Sequence, residues 1–152
     1  MKLSSVLLAT LIFSGSIVNQ AQAHCQVPCG IFEDQRRFQE MLEDCKTIAK
    51  ASAQINELAG KSDALSLNQL SRWVATKEEH AVRIQETVAQ YFLAQRIKAD
   101  ADRYQERLVA AHGVIVAAMK SKQTVDADSA ETLNAAILDL YRAYEGKEPK
   151  LH

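Results

Sequence analysis

The chain has 152 residues, 18 Lys and Arg against 19 Asp and Glu for a formal net charge of −1, and only 5 glycines and 2 prolines. This near-neutral balance, without a basic stripe or interleaved aromatic and basic residues, excludes nucleic acid as an expected partner. Abundant Ala, Glu, Gln, Lys and Leu with no β-branched runs predict an all-helical protein, and the length suits one domain.

The first element is a leader. Met1-Lys2 is a short basic start, and Val6 to Phe13 is apolar but too short to span a bilayer. Ala21-Gln22-Ala23 is the small-x-small pattern that signal peptidases cut after. Residues 1–23 are therefore expected to be a cleaved secretion signal. Residues 24–152 would form the single mature domain, exported to the periplasm or the extracellular space and free of the membrane after cleavage. A lipoprotein signal fits poorly, because His24 rather than a small residue precedes Cys25.

Next comes His24-Cys25-Gln26-Val27-Pro28-Cys29-Gly30. Beyond it, Glu33-Asp34 places two acids at a helix start, where the dipole favours them. Phe38, Met41, Leu42, Cys45, Ile48, Ile55 and Leu58 then recur at helical spacing up to Ala59-Gly60. Ser66-x-x-Gln69 reads as a capping box. It opens a long second helix with Leu67, Leu70, Trp73, Val74, Ala81, Ile84, Val88, Tyr91 and Phe92 on its buried side, reaching Ile97 and broken or bent at Asp100–Asp102. Tyr104, Leu108, Ala111, Ile115 and Met119 mark a third helix. A fourth opens at Asp128-x-x-Glu131, carries Leu133, Ile137, Leu140, Tyr141 and Tyr144, and stops at Gly146 and Pro149. Four amphipathic helices on short linkers predict an antiparallel four-helix bundle with an N-terminal metal-binding hook.

The hook has its own chemistry. Pro28 fixes its own φ and pushes Val27 towards an extended backbone, while Gly30 permits the turn after the second thiol. Cleavage after Ala23 would make His24 the chain start, adding a free α-amine to an imidazole, an amide nitrogen and two thiols. Amine, amide and thiolate donors in a plane, with imidazole in an axial position, suit nickel(II) or copper(II); zinc prefers a tetrahedron. Anionic donors also bring the +2/+3 couple of nickel within reach. Spacing alone equally allows a Cys25–Cys29 disulfide in an exported protein. The coincidence of the cut site with His24 favours metal, since a disulfide has no use for a free amine.

At these residues the sequence resembles the nickel-containing superoxide dismutase family, whose mature chains begin His-Cys-x-x-Pro-Cys-Gly. The stretch Ser71-Arg72-Trp73-Val74-Ala75-Thr76-Lys77-Glu78-Glu79-His80-Ala81 is similar to part of that family's second helix, and the likeness fades beyond Phe92. The resemblance implies a nickel ion, with copper as the alternative, held by His24, Cys25 and Cys29, and superoxide as the substrate. It also implies a homo-oligomer, a homohexamer, and a carboxylate behind the hook imidazole, for which Glu40 is the match. Pro28, Gly30 and Phe32 would border the anion's approach. Phe32 stands where the family carries a tyrosine, and His80 where it carries arginine or glutamine. His80 is thus a second-shell donor, an additional metal ligand or a histidine satisfied within the bundle. Cys45 is expected to be a buried thiol and His112 to be structural, with His152 a terminal residue without a partner. An exported nickel or copper carrier or sensor without turnover, and a helical interaction module with a disulfide, compete with the dismutase reading.

Overall fold

The apolar spacing of residues 38–55 becomes one buried stripe of a 25-residue helix, α1 (Asp34–Leu58), in a computed structural model that describes residues 34–150. Phe38, Met41 and Ile48 on that stripe have no exposed surface, each worth roughly 1.5–3 kcal/mol over full exposure. Gly60, at φ +82°, takes the left-handed turn that ends the helix. α2 (Ala64–Glu86) starts two residues before the expected capping box. The cap is Asp63, whose carboxylate accepts the Ser66 backbone N–H at 3.0 Å and the Ser66 hydroxyl at 2.6 Å.

From Thr87 to Arg96 the helix continues with π-type turns, and the Ile97 N–H reaches back five residues to the Phe92 carbonyl at 2.8 Å. The wider turn buries two sequence neighbours, Tyr91 and Phe92, whose rings meet edge-on at 5.2 Å. The chain then breaks between Ile97 and Arg103, the latter left-handed at φ 61°. α3 (Tyr104–Gln123) follows, then α4 (Ala127–Glu145), with Asp126 rather than Asp128 at the N-cap position, its carboxylate turned to Thr124, and with Gly146 at φ 71° ending the helix.

Each helix packs on its chain neighbour, and α4 returns against α1, so the four close into an antiparallel bundle with no strand among the described residues. The register is visible at both ends. Asp34 meets Tyr144 at one, and Asn56 Nδ2 donates to the Val125 carbonyl (3.0 Å) at the other. Lys77 is buried inside and gives its ammonium to the carbonyls of Ser121, Lys122 and Thr124, closing the C-terminal end of α3.

Two expected faces change. Leu67 and Val74 are exposed, at 50% and 41%, with Leu65 at 69%, because among the described residues nothing packs over that side of the first half of α2. Met119 is also exposed (42%), and so is His112, which faces outward from α3 rather than into the core. No described helix is long and apolar enough to cross a membrane.

Candidate metal centre

The second turn of α1 carries Glu40 on the wall of a groove of about 510 Å³. Arg37, Asp44, Arg83, Gln90 and Tyr91 share that wall, so the first half of α1 faces the end of α2 and the π-helical turns across it. Glu40 accepts from Arg36 Nε at 2.9 Å and from Arg37 Nη1 at 2.7 Å, and its side chain is 37% exposed. It is a held carboxylate with one side open to the groove.

One turn further along α1, Asp44 accepts from His80 Nδ1 at 2.6 Å and lies 3.2 Å from Arg83 Nη2. Arg83 Nη2 also lies 2.6 Å from His80 Nε2. Arg83 Nη2 lies against Nδ1 as well, so this contact singles out neither ring nitrogen. The carboxylate only accepts, which assigns Nδ1–H to Asp44, and through that bond His80 ties α2 to α1.

Asp34 opens α1 and gathers three donors from two other elements. Tyr91 Oη and Tyr144 Oη (2.7 Å) donate to it, and Arg96 Nη2 donates at 2.6 Å. Burial alone would raise its carboxyl, but these donors and the Arg96 charge outweigh it and hold the group below its usual 3.8. Burial, then the Asp34 charge, pushes the Tyr144 phenol up to about 12. Nothing local in the sequence marked Asp34 beyond its place at a helix start, since its partners lie 57, 62 and 110 residues away.

His24, Cys25, Pro28, Cys29, Gly30 and Phe32 lie outside the described residues, as do the leader and His152. Within residues 34–150 there is no grouping of three His, Cys, Asp or Glu able to hold a metal ion. Cys45, the one cysteine there, gives its thiol to the Ala130 carbonyl at 3.2 Å. Burial, aided by Asp44, pushes it up to about 11, so it stays a protonated thiol and a poor ligand.

The family model of nickel-containing superoxide dismutase matches residues 19–148. The chain belongs to that family. The matched range takes in the His24–Gly30 stretch as well as all four helices. Comparison with curated proteins and with solved structures returns no match. Membership makes the protein a superoxide dismutase, an oxidoreductase with a nickel cofactor and superoxide as its substrate. The residues present suit that metal: the described body offers no competing thiolate or ligand cluster, and His24, Cys25 and Cys29 bring imidazole, amide and thiol groups of the kind nickel favours.

Proposed function

We propose that this superoxide dismutase holds its nickel at a mature N-terminus, through His24, Cys25 and Cys29, after cleavage behind Ala23 and export. When bound, nickel supplies the reversible one-electron couple that oxidises one superoxide to oxygen and reduces the next to peroxide. The Cys25 and Cys29 side chains would serve as thiolates, which stabilise the higher oxidation state by electron donation. The His24 α-amine and the Cys25 amide nitrogen would complete the donor set, and the His24 imidazole would be the adjustable ligand. Glu40 is the residue to orient that imidazole. Its carboxylate is fixed by Arg36 and Arg37, yet opens on the groove six residues beyond the start of α1. Phe32 brings no hydroxyl to the approach. The backbone N–H groups of Cys29 and Gly30 would therefore position the anion, and ordered water would deliver the two protons that peroxide needs.

The observation that carries this reading is the coincidence of a predicted cleavage site with the first residue of a nickel-family motif. Assembly into a homo-oligomer, a hexamer by family resemblance, is part of the proposal. The exposed Leu65, Leu67 and Val74 are apolar side chains that such contacts would cover.

The test is the dismutation rate of protein beginning at His24, loaded with nickel or with copper, beside a version that keeps one residue before His24. Turnover with nickel that the extra residue abolishes supports the N-terminal site. Turnover only with copper would reassign the metal, and tight binding without turnover would leave a carrier or sensor. Reduced protein that binds no metal would leave a helical bundle with a Cys25–Cys29 disulfide.

A further inference from the structure

We infer that Asp34 is a positioning residue of this enzyme, fixing together the root of the N-terminal segment and, through the Tyr91 ring and Arg37, the Glu40 carboxylate. The inference rests on the reading of Glu40 given above. Its ground is an unbroken set of contacts. Tyr91 Oη donates to Asp34, and the guanidinium carbons of Arg37 (5.4 Å to the centroid) and Arg96 (5.7 Å) both lie over the Tyr91 ring. Arg37 Nη1 then donates to Glu40 at 2.7 Å. Arg96 closes the loop by returning to Asp34 at 2.6 Å. Two cations over one ring, one of them bonded to Asp34, help hold the ring in place, and the ring in turn steadies Arg37 beside Glu40.

The placement matters for reach. Asp34 stands four residues after Gly30, and Glu40 six residues after Asp34, about 9 Å further along the helix axis. A fixed spacing between Asp34 and Glu40 keeps that carboxylate at one place relative to the start of α1. Tyr144 ties that start to α4 and Tyr91 ties it to the π-helical turns, so the first turn of α1 cannot fray independently of the groove wall. A mere helix-start acid would need neither phenol, because the dipole already favours a carboxylate there.

The experiment compares wild type with Asp34→Asn and with Tyr144→Phe, which removes one donor and keeps the ring. Lys77→Met serves as a variant weakened at the far end of the bundle. In metal-free protein, trypsin cleavage after Arg36 and Arg37 reads opening of the first turn. Asp34→Asn is expected to speed it about tenfold and Tyr144→Phe by less, with Lys77→Met unchanged. In nickel-loaded protein, Asp34→Asn is expected to lose roughly ten- to a hundredfold in turnover per bound nickel and to alter the EPR signature of the oxidised metal, while nickel still binds. Lys77→Met should keep both. Unchanged cleavage in Asp34→Asn would overturn the anchor. Faster cleavage with wild-type turnover and signature would overturn the positioning role and leave a local staple. Failure of the dismutase reading itself would show separately, as absence of turnover in the wild type.

Discussion

Lys77→Met tests whether a buried ammonium can be a net stabilising cap. The side chain is 3% exposed and donates at 2.8, 2.7 and 3.0 Å to the carbonyls of Ser121, Lys122 and Thr124. Charged hydrogen bonds contribute about 1.5–3 kcal/mol each, against a penalty of several kcal/mol for removing an ammonium from water. Burial accordingly pushes Lys77 below its usual 10.5, with Glu78 opposing and Lys122 adding to the fall. The gain and the cost nearly cancel, so the decisive quantity is what the substitution strands. Methionine preserves the packing of the stem but leaves the buried Ser121 carbonyl without this donor, at a cost of about 1–3 kcal/mol, while water reaches the two less buried carbonyls. The expected loss is about 2 kcal/mol, a fall in Tm of roughly 6–10 °C for a domain of this size. Urea and thermal unfolding of metal-free protein by circular dichroism would measure it without the linkage that metal binding introduces. A Met variant as stable as wild type would refute the reasoning, because it would mean that desolvation outweighs the three bonds.

Three further outcomes follow from the same geometry. Glu40→Gln should lower turnover per bound nickel about tenfold while moving stability by no more than about 1 kcal/mol, since Arg36 is an exposed partner and Arg37 only a partly buried one; parallel rate and melting measurements separate the two effects. The Asp34 carboxyl titrates below 3.8 in the folded chain, so its contribution is complete above about pH 4 and is lost as pH falls through the lowered folded value. The stability gap between wild type and Asp34→Asn should therefore be full at neutral pH and close in acid, and a gap that widens on acidification would contradict the assigned sign. Ser52 is 2% exposed with an unpartnered hydroxyl on α1, so Ser52→Ala should raise stability by about 0.5–1 kcal/mol, seen as a higher urea midpoint at unchanged m.

Much of the fold could be read from spacing. The run from Phe38 to Ile55 recurs every three or four residues between an acidic start and a glycine stop, and α1 spans Asp34–Leu58 accordingly. Capping was misplaced at two helices because Asp63 and Asp126 lie one turn or less before equally plausible polar residues, and only backbone geometry chooses among them. The π-helical turns had no signal at all. Val88, Tyr91 and Phe92 keep ordinary helical spacing, so their burial was legible while the wider turn was not; Phe92 packs beside Phe38 and Tyr144, and Tyr91 meets Phe92 edge-on.

By itself the sequence determined the helical class, the four amphipathic segments and the family, because periodicity and a contiguous motif are local properties of a chain. Tertiary structure decided the surroundings. It exposed Leu67 and Val74 by leaving half of α2 uncovered among the described residues, and it joined His80 on α2 to Asp44 on α1. It also made Asp34 a hub for Tyr91, Arg96 and Tyr144. Those outcomes depend on which helix faces which and at what register, and that is settled only when side chains far apart in the chain compete for the same space and the same hydrogen bonds.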